Sequence, residues 1–184
     1  LLVLNVGGVV DLSPVMEVGN ILLLSQTGMT IGDSFADVLL GKAYPSGKLA
    51  STWAKWEEYC PVGEFAQPDD TRYNEGIYVG YRYFDSVGKE PLFPFGFGLG
   101  YTTFEVGRPQ VEVAGTQVRV TVPVKNTGAA LGKEVVQLYV SLPSGKLDQP
   151  YQVLAAFGKT GQLAPGQEEA LILTFALESL ASFD

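Results

Sequence analysis

Valine recurs at every second position from Val118 to Val124. Strand side chains alternate between two faces, so this run must bury one face and expose the other. That pattern suits an antiparallel sheet packed on one side, and it excludes a helix for this segment. Residues 134–142 repeat it, with Val136, Leu138, Val140 and Leu142 on one face. Residues 152–157 and 170–177 are further strand candidates. Asn126-Thr127-Gly128 and Ala164-Pro165-Gly166-Gln167 read as turns between them. The count comes to about five or six short strands, whereas an immunoglobulin-type sandwich uses about seven. Residues 106–184 are therefore expected to form an immunoglobulin/fibronectin-III-like β-sandwich lacking its last strands.

The beginning of the chain has a different period. Residues 1–6 (LLVLNV) and 20–25 (NILLLS) are short, nearly continuous apolar runs. Such runs suit strands of a parallel sheet covered on both faces. Ile31, Phe35, Val38 and Leu39 then share one helical face, with Thr30 and Asp33 as a weak capping box and Gly41 as a stop. Strand, connection, strand, helix is a piece of an α/β domain, here a partial α/β sandwich over residues 1–60. It holds too few strands to stand alone. The first residues carry no leader-like pattern and read as a strand entered partway through a longer chain.

Residues 61–105 show neither period and are rich in aromatics, Gly and Pro. A structureless loop of that length is rare inside a compact domain. The expectation is an ordered connection packed along both domains, with the glycines of residues 95–100 allowing tight bends. The fold class is thus α/β plus all-β.

Composition removes several functions. The net charge of −8 gives no basic face for nucleic acid. Histidine is absent, which excludes His-dependent triads and His-based metal sites within these residues. The single cysteine, Cys60, cannot form an internal disulfide. No apolar run reaches the ~18 residues of a membrane span. No cofactor or metal is implied.

Four stretches, in order, resemble glycoside hydrolase family 3. Residues 41–49 (GKAYPSGKL) with Thr52-Trp53 resemble "G…NPSGKLP.T", with Ala43-Tyr44 in place of the usual pair before Pro45. Residues 73–85 (YNEGIYVGYRYFD) are similar to the family pattern at nearly every position. Residues 91–104 (PLFPFGFGLGYTTF) resemble "PLFPFGYGLSYT.F". Residues 154–167 (LAAFGKTGQLAPGQ) resemble "L.GF.K..L.PGE" of its fibronectin-III-like domain. Residues 28–40 also fit "GQEGG.ALADVL", except that the Gln-Glu pair is replaced.

The resemblance implies a retaining β-glycosidase, most simply a β-glucosidase acting on a β-linked glucoside or short oligosaccharide. Retention needs two carboxyls ~5–5.5 Å apart across the scissile bond. The family's Asp nucleophile lies on a (β/α)8 barrel and its acid/base Glu lies upstream of the strand matched by residues 1–6. Carried over residue by residue, no catalytic residue falls within this sequence. The implied partners are the missing barrel and the upstream α/β domain. A homo-oligomer is compatible with this reading, and the compartment is left open.

Trp53 and Arg82 are the candidate substrate-binding residues. Trp53 and Trp56 offer aromatic faces for a pyranose, against packing in the core. Arg82, between Tyr81 and Tyr83, could hold a sugar hydroxyl, against stacking on its aromatic neighbours. Glu75 tempts as an acid, against pairing with Arg72 or Arg82 or accepting backbone N–H bonds. Glu57-Glu58 reads as solvated, Gly7-Gly8 as a turn rather than a phosphate loop, Asp33 and Asp37 as a solvated face, and Cys60 as an inert or partly buried thiol. Two other functional classes remain at this point. One is a non-catalytic carbohydrate-binding module. The other is a protein-interaction scaffold whose open sheet edge takes a partner strand.

Overall fold

The computed structural model describes residues 1–61, 68–143 and 145–182. Strands β1 (Leu2–Leu4) and β2 (Ile21–Leu23) pair in parallel, with Leu2 opposite Ile21. A short 3-10 turn, Ser13–Val15, lies in the crossover, with Pro14 in its first turn. Helix α1 (Ile31–Leu39) follows. Its Ile31, Phe35 and Val38 are half-buried, while Leu39 is exposed. Thr30 stands at its N-cap without a side-chain cap bond, so the expected capping box is not formed. The two strands are also only half-buried, because a two-stranded sheet has no neighbours to cover both faces.

The connection contains a helix that hydrophobic periodicity did not reveal. Helix α2 (Tyr81–Val87) spans less than the ~11-residue window needed to show a period. Gly80 and Gly88 bracket it, both at positive φ (57° and 64°). Its Phe84 is buried, edge-on to Tyr59.

The sandwich comprises β3 (Phe104–Val106), β4 (Gln110–Ala114), β5 (Gln117–Asn126), β6 (Val135–Val140), β7 (Val153–Lys159) and β8 (Glu168–Ala176). One antiparallel sheet places β5 centrally, with β3 and β4 end to end on one side and β8 on the other. The second sheet is the antiparallel pair β6–β7. Val118, Val120, Val122 and Val124 are all buried, as alternation demands. Val136 and Leu138 of β6 pack over this row, and Phe175 of β8 flanks it opposite Val118 within the same sheet. Gly158 of β7 lies against β8 so closely that a Cβ there would meet Leu173 at 2.7 Å. Gly166, at φ 78° after Pro165, makes the Ala164–Gln167 turn, closed by the Gln167 N–H on Ala164 O at 2.9 Å.

Asn126 was expected in a turn. It is instead the fully buried end of β5. Its Nδ2 donates to Ala130 O and Leu163 O, each at 2.8 Å. Its Oδ1 accepts from Thr102 Oγ1 at 2.8 Å and the Gly128 N–H at 3.1 Å. A buried amide is tolerable only when its capacity is used in this way.

β4 departs from a closed sandwich. Val111 and Val113 stand opposite Val120 and Val118, so they face the core side of the sheet. Yet they are 62% and 65% exposed. β6 covers β5 and β7 covers β8, while no described strand lies opposite β4.

Candidate substrate groove

Two of the motif stretches, far apart in sequence, are hydrogen-bonded to each other. Leu49 N–H donates to Phe97 O and Gly96 N–H to Leu49 O, both at 2.8 Å. Trp53 and Phe93 exchange N–H···O bonds of 2.8 and 2.9 Å. This short ladder draws Trp53 into the core, where it is 4% exposed. Glycines let the two stretches approach. A Cβ on Gly98 would lie 2.3 Å from Gly47 O, and one on Gly100 would lie 1.9 Å from Tyr44 Oη. Of these glycines only Gly96 has a positive φ (83°), so Gly98 and Gly100 supply clearance rather than the expected tight bends.

The ladder is bolted to the sandwich. Lys48 Nζ donates to Gly98 O at 2.7 Å and meets Glu134 Oε1 at 2.8 Å. Lys159 Nζ donates to Ser46 O at 2.8 Å. Burial, with Lys133 and Lys48 nearby, lowers the Lys159 pKa, although Glu134 pulls the other way. Helix α2 lies on the outer face of the β6–β7 sheet. Tyr81 packs against Phe95 (centroids 5.1 Å apart) and Tyr139 (5.5 Å), and its hydroxyl accepts the Leu154 N–H at 2.8 Å. Asp85 and Ser86 accept from Gln152 Nε2 and the Tyr151 N–H at 2.9 and 2.8 Å.

Between the loop after β1, residues 50–59 and the start of α2 runs an open groove of about 590 Å³. Asp11, Thr52, Trp56, Tyr59, Gly80 and Arg82 contribute to its walls. In open α/β sheets, ligands gather at the carboxyl ends of strands, and Asp11 lies beyond that end of β1. Asp11 Oδ1 accepts both the N–H and the hydroxyl of Ser13, which lowers its pKa and keeps it ionised. Tyr59 is held by its hydroxyl, which donates to Thr52 O at 2.7 Å and accepts from the Ala54 N–H at 3.2 Å; burial raises its pKa.

The sequence candidates separate. Trp53 is held in the core by the ladder and does not line this groove; it borders instead a smaller pocket shared with Leu12, Leu23, Phe93 and Phe97. Trp56 is 67% exposed and lines the groove. Arg82 lines the groove too and is half-buried; among the described residues it neither stacks nor forms an ion pair. Glu75 likewise pairs with neither Arg72 nor Arg82 among the described residues. Glu58 Oε2 accepts the Lys55 N–H at 3.2 Å and caps a 3-10 turn, Trp56–Glu58, rather than being merely solvated. Cys60 is a half-buried free thiol, and Asp37 meets Lys42 at 4.0 Å on the surface. No cluster of His, Cys, Asp and Glu suited to a metal exists among the described residues. No helix there is long and apolar enough to cross a membrane. Thr52 was missed: no spacing rule distinguishes a buried threonine in the loop that precedes Trp53.

Residues 1–101 match the family model for the glycosyl hydrolase family 3 C-terminal domain. The chain belongs to glycoside hydrolase family 3. Residues 134–184 match a fibronectin type III-like domain, in keeping with the sandwich. Relatives include β-glucosidase A of Butyrivibrio fibrisolvens, 40% identical over 100% of this chain and 25% of its own length. A β-glucosidase of Ruminococcus albus is 41% identical over 100% of this chain and 20% of its own. Among solved structures, β-glucosidase 3B from Thermotoga neapolitana in complex with glycerol superposes with a TM-score of 0.91 at 42% identity, covering 99% of this chain and 26% of that one. A β-glucosidase from Paenibacillus barengoltzii gives 0.90 at 40% identity, covering 99% and 21%. The chain thus spans about a quarter of the length of these relatives. The family 3 assignment follows the motif order read from the sequence.

Proposed function

We propose that this chain is the C-terminal part of a retaining family 3 β-glucosidase that hydrolyses terminal β-linked glucosides. Its catalytic nucleophile and acid/base lie outside residues 1–184. The observation that carries this reading is the match along the whole chain to about a quarter of proteins named β-glucosidase. The geometry supports it: the motif stretches are spent on a ladder and an interdomain joint, and no described carboxylate pair is set for glycoside chemistry. Residues 1–60 act as the end of an α/β sandwich, residues 61–105 as an ordered connection, and residues 106–184 as the fibronectin-III-like unit. Of the two substrate-binding candidates, Arg82 is retained in the proposal and Trp53 is assigned to packing.

The role of this region in the parent enzyme is to brace the wall that carries the acid/base, so that two carboxyls ~5–5.5 Å apart keep their spacing. The purified chain is expected to release no aryl product from an aryl β-glucoside. Turnover by these residues alone, abolished by one Asp or Glu substitution among them, would overturn the proposal.

A further inference from the structure

The chain has only 12 lysines and arginines against 20 acids, yet three of the lysines gather at one end of the β6–β7 pair. Strand register sets Lys159 of β7 opposite Val135 of β6. Lys133 comes two residues before Val135, and the pairing persists past it. The Thr160 N–H donates to Glu134 O at 2.9 Å, and Gly132 and Leu163 exchange N–H···O bonds of 3.1 and 2.8 Å. Lys133 therefore runs alongside Lys159 instead of leaving the sheet. Lys48 arrives from the motif stretch 41–49, and its Nζ stands 2.8 Å from Glu134 Oε1. Burial, then Lys133 and Lys48 as like charges, lowers the Lys159 pKa, which places all three ammonium groups in one field.

Glu134 is the carboxylate that opposes them, and it is already engaged. Its Oε1 accepts the Val135 N–H at 2.7 Å and faces Lys48 at 2.8 Å, in a pair whose two side chains are each 20% exposed. Glu134 and Lys48 thus neutralise each other, and the charges of Lys133 and Lys159 remain. Lys159 Nζ donates to Ser46 O at 2.8 Å, a neutral acceptor, which leaves two of its three N–H donors. The Lys133 ammonium meets no acceptor among the described residues. Ser46, whose carbonyl holds Lys159, has a hydroxyl and an N–H that donate to no acceptor among the described residues. Like charges side by side on paired strands are destabilising. Here they persist at a half-buried joint, with donors left over on both lysines and on Ser46.

We propose that the joint between the motif stretch 41–49 and the end of the β6–β7 pair is an inorganic oxyanion site, which takes dianionic phosphate or sulfate between Lys133, Lys159 and Ser46. Two positive charges select a dianion, because a single carboxylate would leave one of them unanswered. Leftover donors on three separate residues select an ion that only accepts and that carries oxygens on several sides. Lysine suits this role, as a point charge on a flexible stem that needs no planar partner. The bound ion would tie Ser46 to the sandwich, so it stabilises the joint by binding the docked state alone. This site lies outside the groove and does not depend on the glycosidase reading.

The test titrates the chain with sodium sulfate and sodium phosphate at about pH 8, where phosphate is mostly the dianion. Calorimetry and thermal melts follow the binding, with sodium chloride at matched ionic strength as the control for screening. A saturable sulfate and phosphate signal is expected, and chloride should give none. Affinity should fall about tenfold in Lys133→Gln and in Lys159→Gln, and stay unchanged in Lys125→Gln on the other sheet. Lys159→Gln also loses the Ser46 bond, so thermal melts verify its fold; Lys133→Gln removes no bond among the described residues and reads the charge alone. Glucose 6-phosphate should bind no tighter than phosphate, because the contacts named are to the oxyanion. An equal response to chloride overturns the proposal. So does unchanged affinity in Lys133→Gln and Lys159→Gln, an equal loss in Lys125→Gln, or binding of the sugar phosphate without binding of the free ion.

Discussion

Tyr139 shows how one side chain links packing to pH. It projects from β6 onto Tyr81, and its hydroxyl donates to Gln137 Oε1 at 2.9 Å. Burial, then Tyr81 and Asp85, pushes its pKa up to about 12. An unfolded tyrosine titrates near ~10. The folded state therefore holds its proton longer than the unfolded state, and linkage makes stability fall as pH rises through that window. The contribution is fully present below about pH 10 and lost by about pH 12. Urea melts between pH 9 and 12, roughly, should show this decline, and Tyr139→Phe should flatten it. An unchanged alkaline slope in the variant would assign the effect elsewhere.

At the scale of elements, the joint between connection and sandwich depends on a glycine. Gly96 has φ 83°, and a Cβ there would meet Gln137 Oε1 at 2.2 Å. Gln137 Oε1 ends a flexible side chain, but moving it breaks the bond it accepts from the Tyr139 hydroxyl. Gly96→Ala is expected to cost about 2 kcal/mol by denaturant unfolding, from backbone strain plus the displaced amide. Adding Gln137→Ala should recover the steric share and leave the backbone share. Identical losses in the single and double variants would show that the contact carries no energy.

For the whole molecule, the uncovered face of β4 sets behaviour in solution. Val111 and Val113 point to the core side yet are largely exposed, and among the described residues β6 pairs only with β7, on one of its edges. Paired apolar exposure beside an open sheet edge invites association. The chain is expected to bind a hydrophobic dye and to show concentration-dependent mass by light scattering. Val113→Lys should reduce both, because a charge on that face opposes burial. A monodisperse monomer with no dye binding at high concentration would contradict this.

Sequence alone determined the features that rest on local repetition. Period-two valines specify β5 because strand geometry admits no other way to bury them. Contiguous apolar runs marked β1 and β2, and Pro165-Gly166 marked its turn. The ordered motifs of residues 41–49, 73–85, 91–104 and 154–167 identified family 3. Tertiary structure decided what depends on residues distant in sequence. Helix α2 is too short to declare a period, and its place is set by Tyr81 docking on β6. Asn126 looks like a turn residue until Thr102, Ala130 and Leu163 surround its amide. Trp53 and Trp56 are equivalent on paper, but the ladder with Phe93 buries one and leaves the other on the groove. Periodicity records which face is buried, while partners, clearances and unpaired groups exist only once distant segments meet.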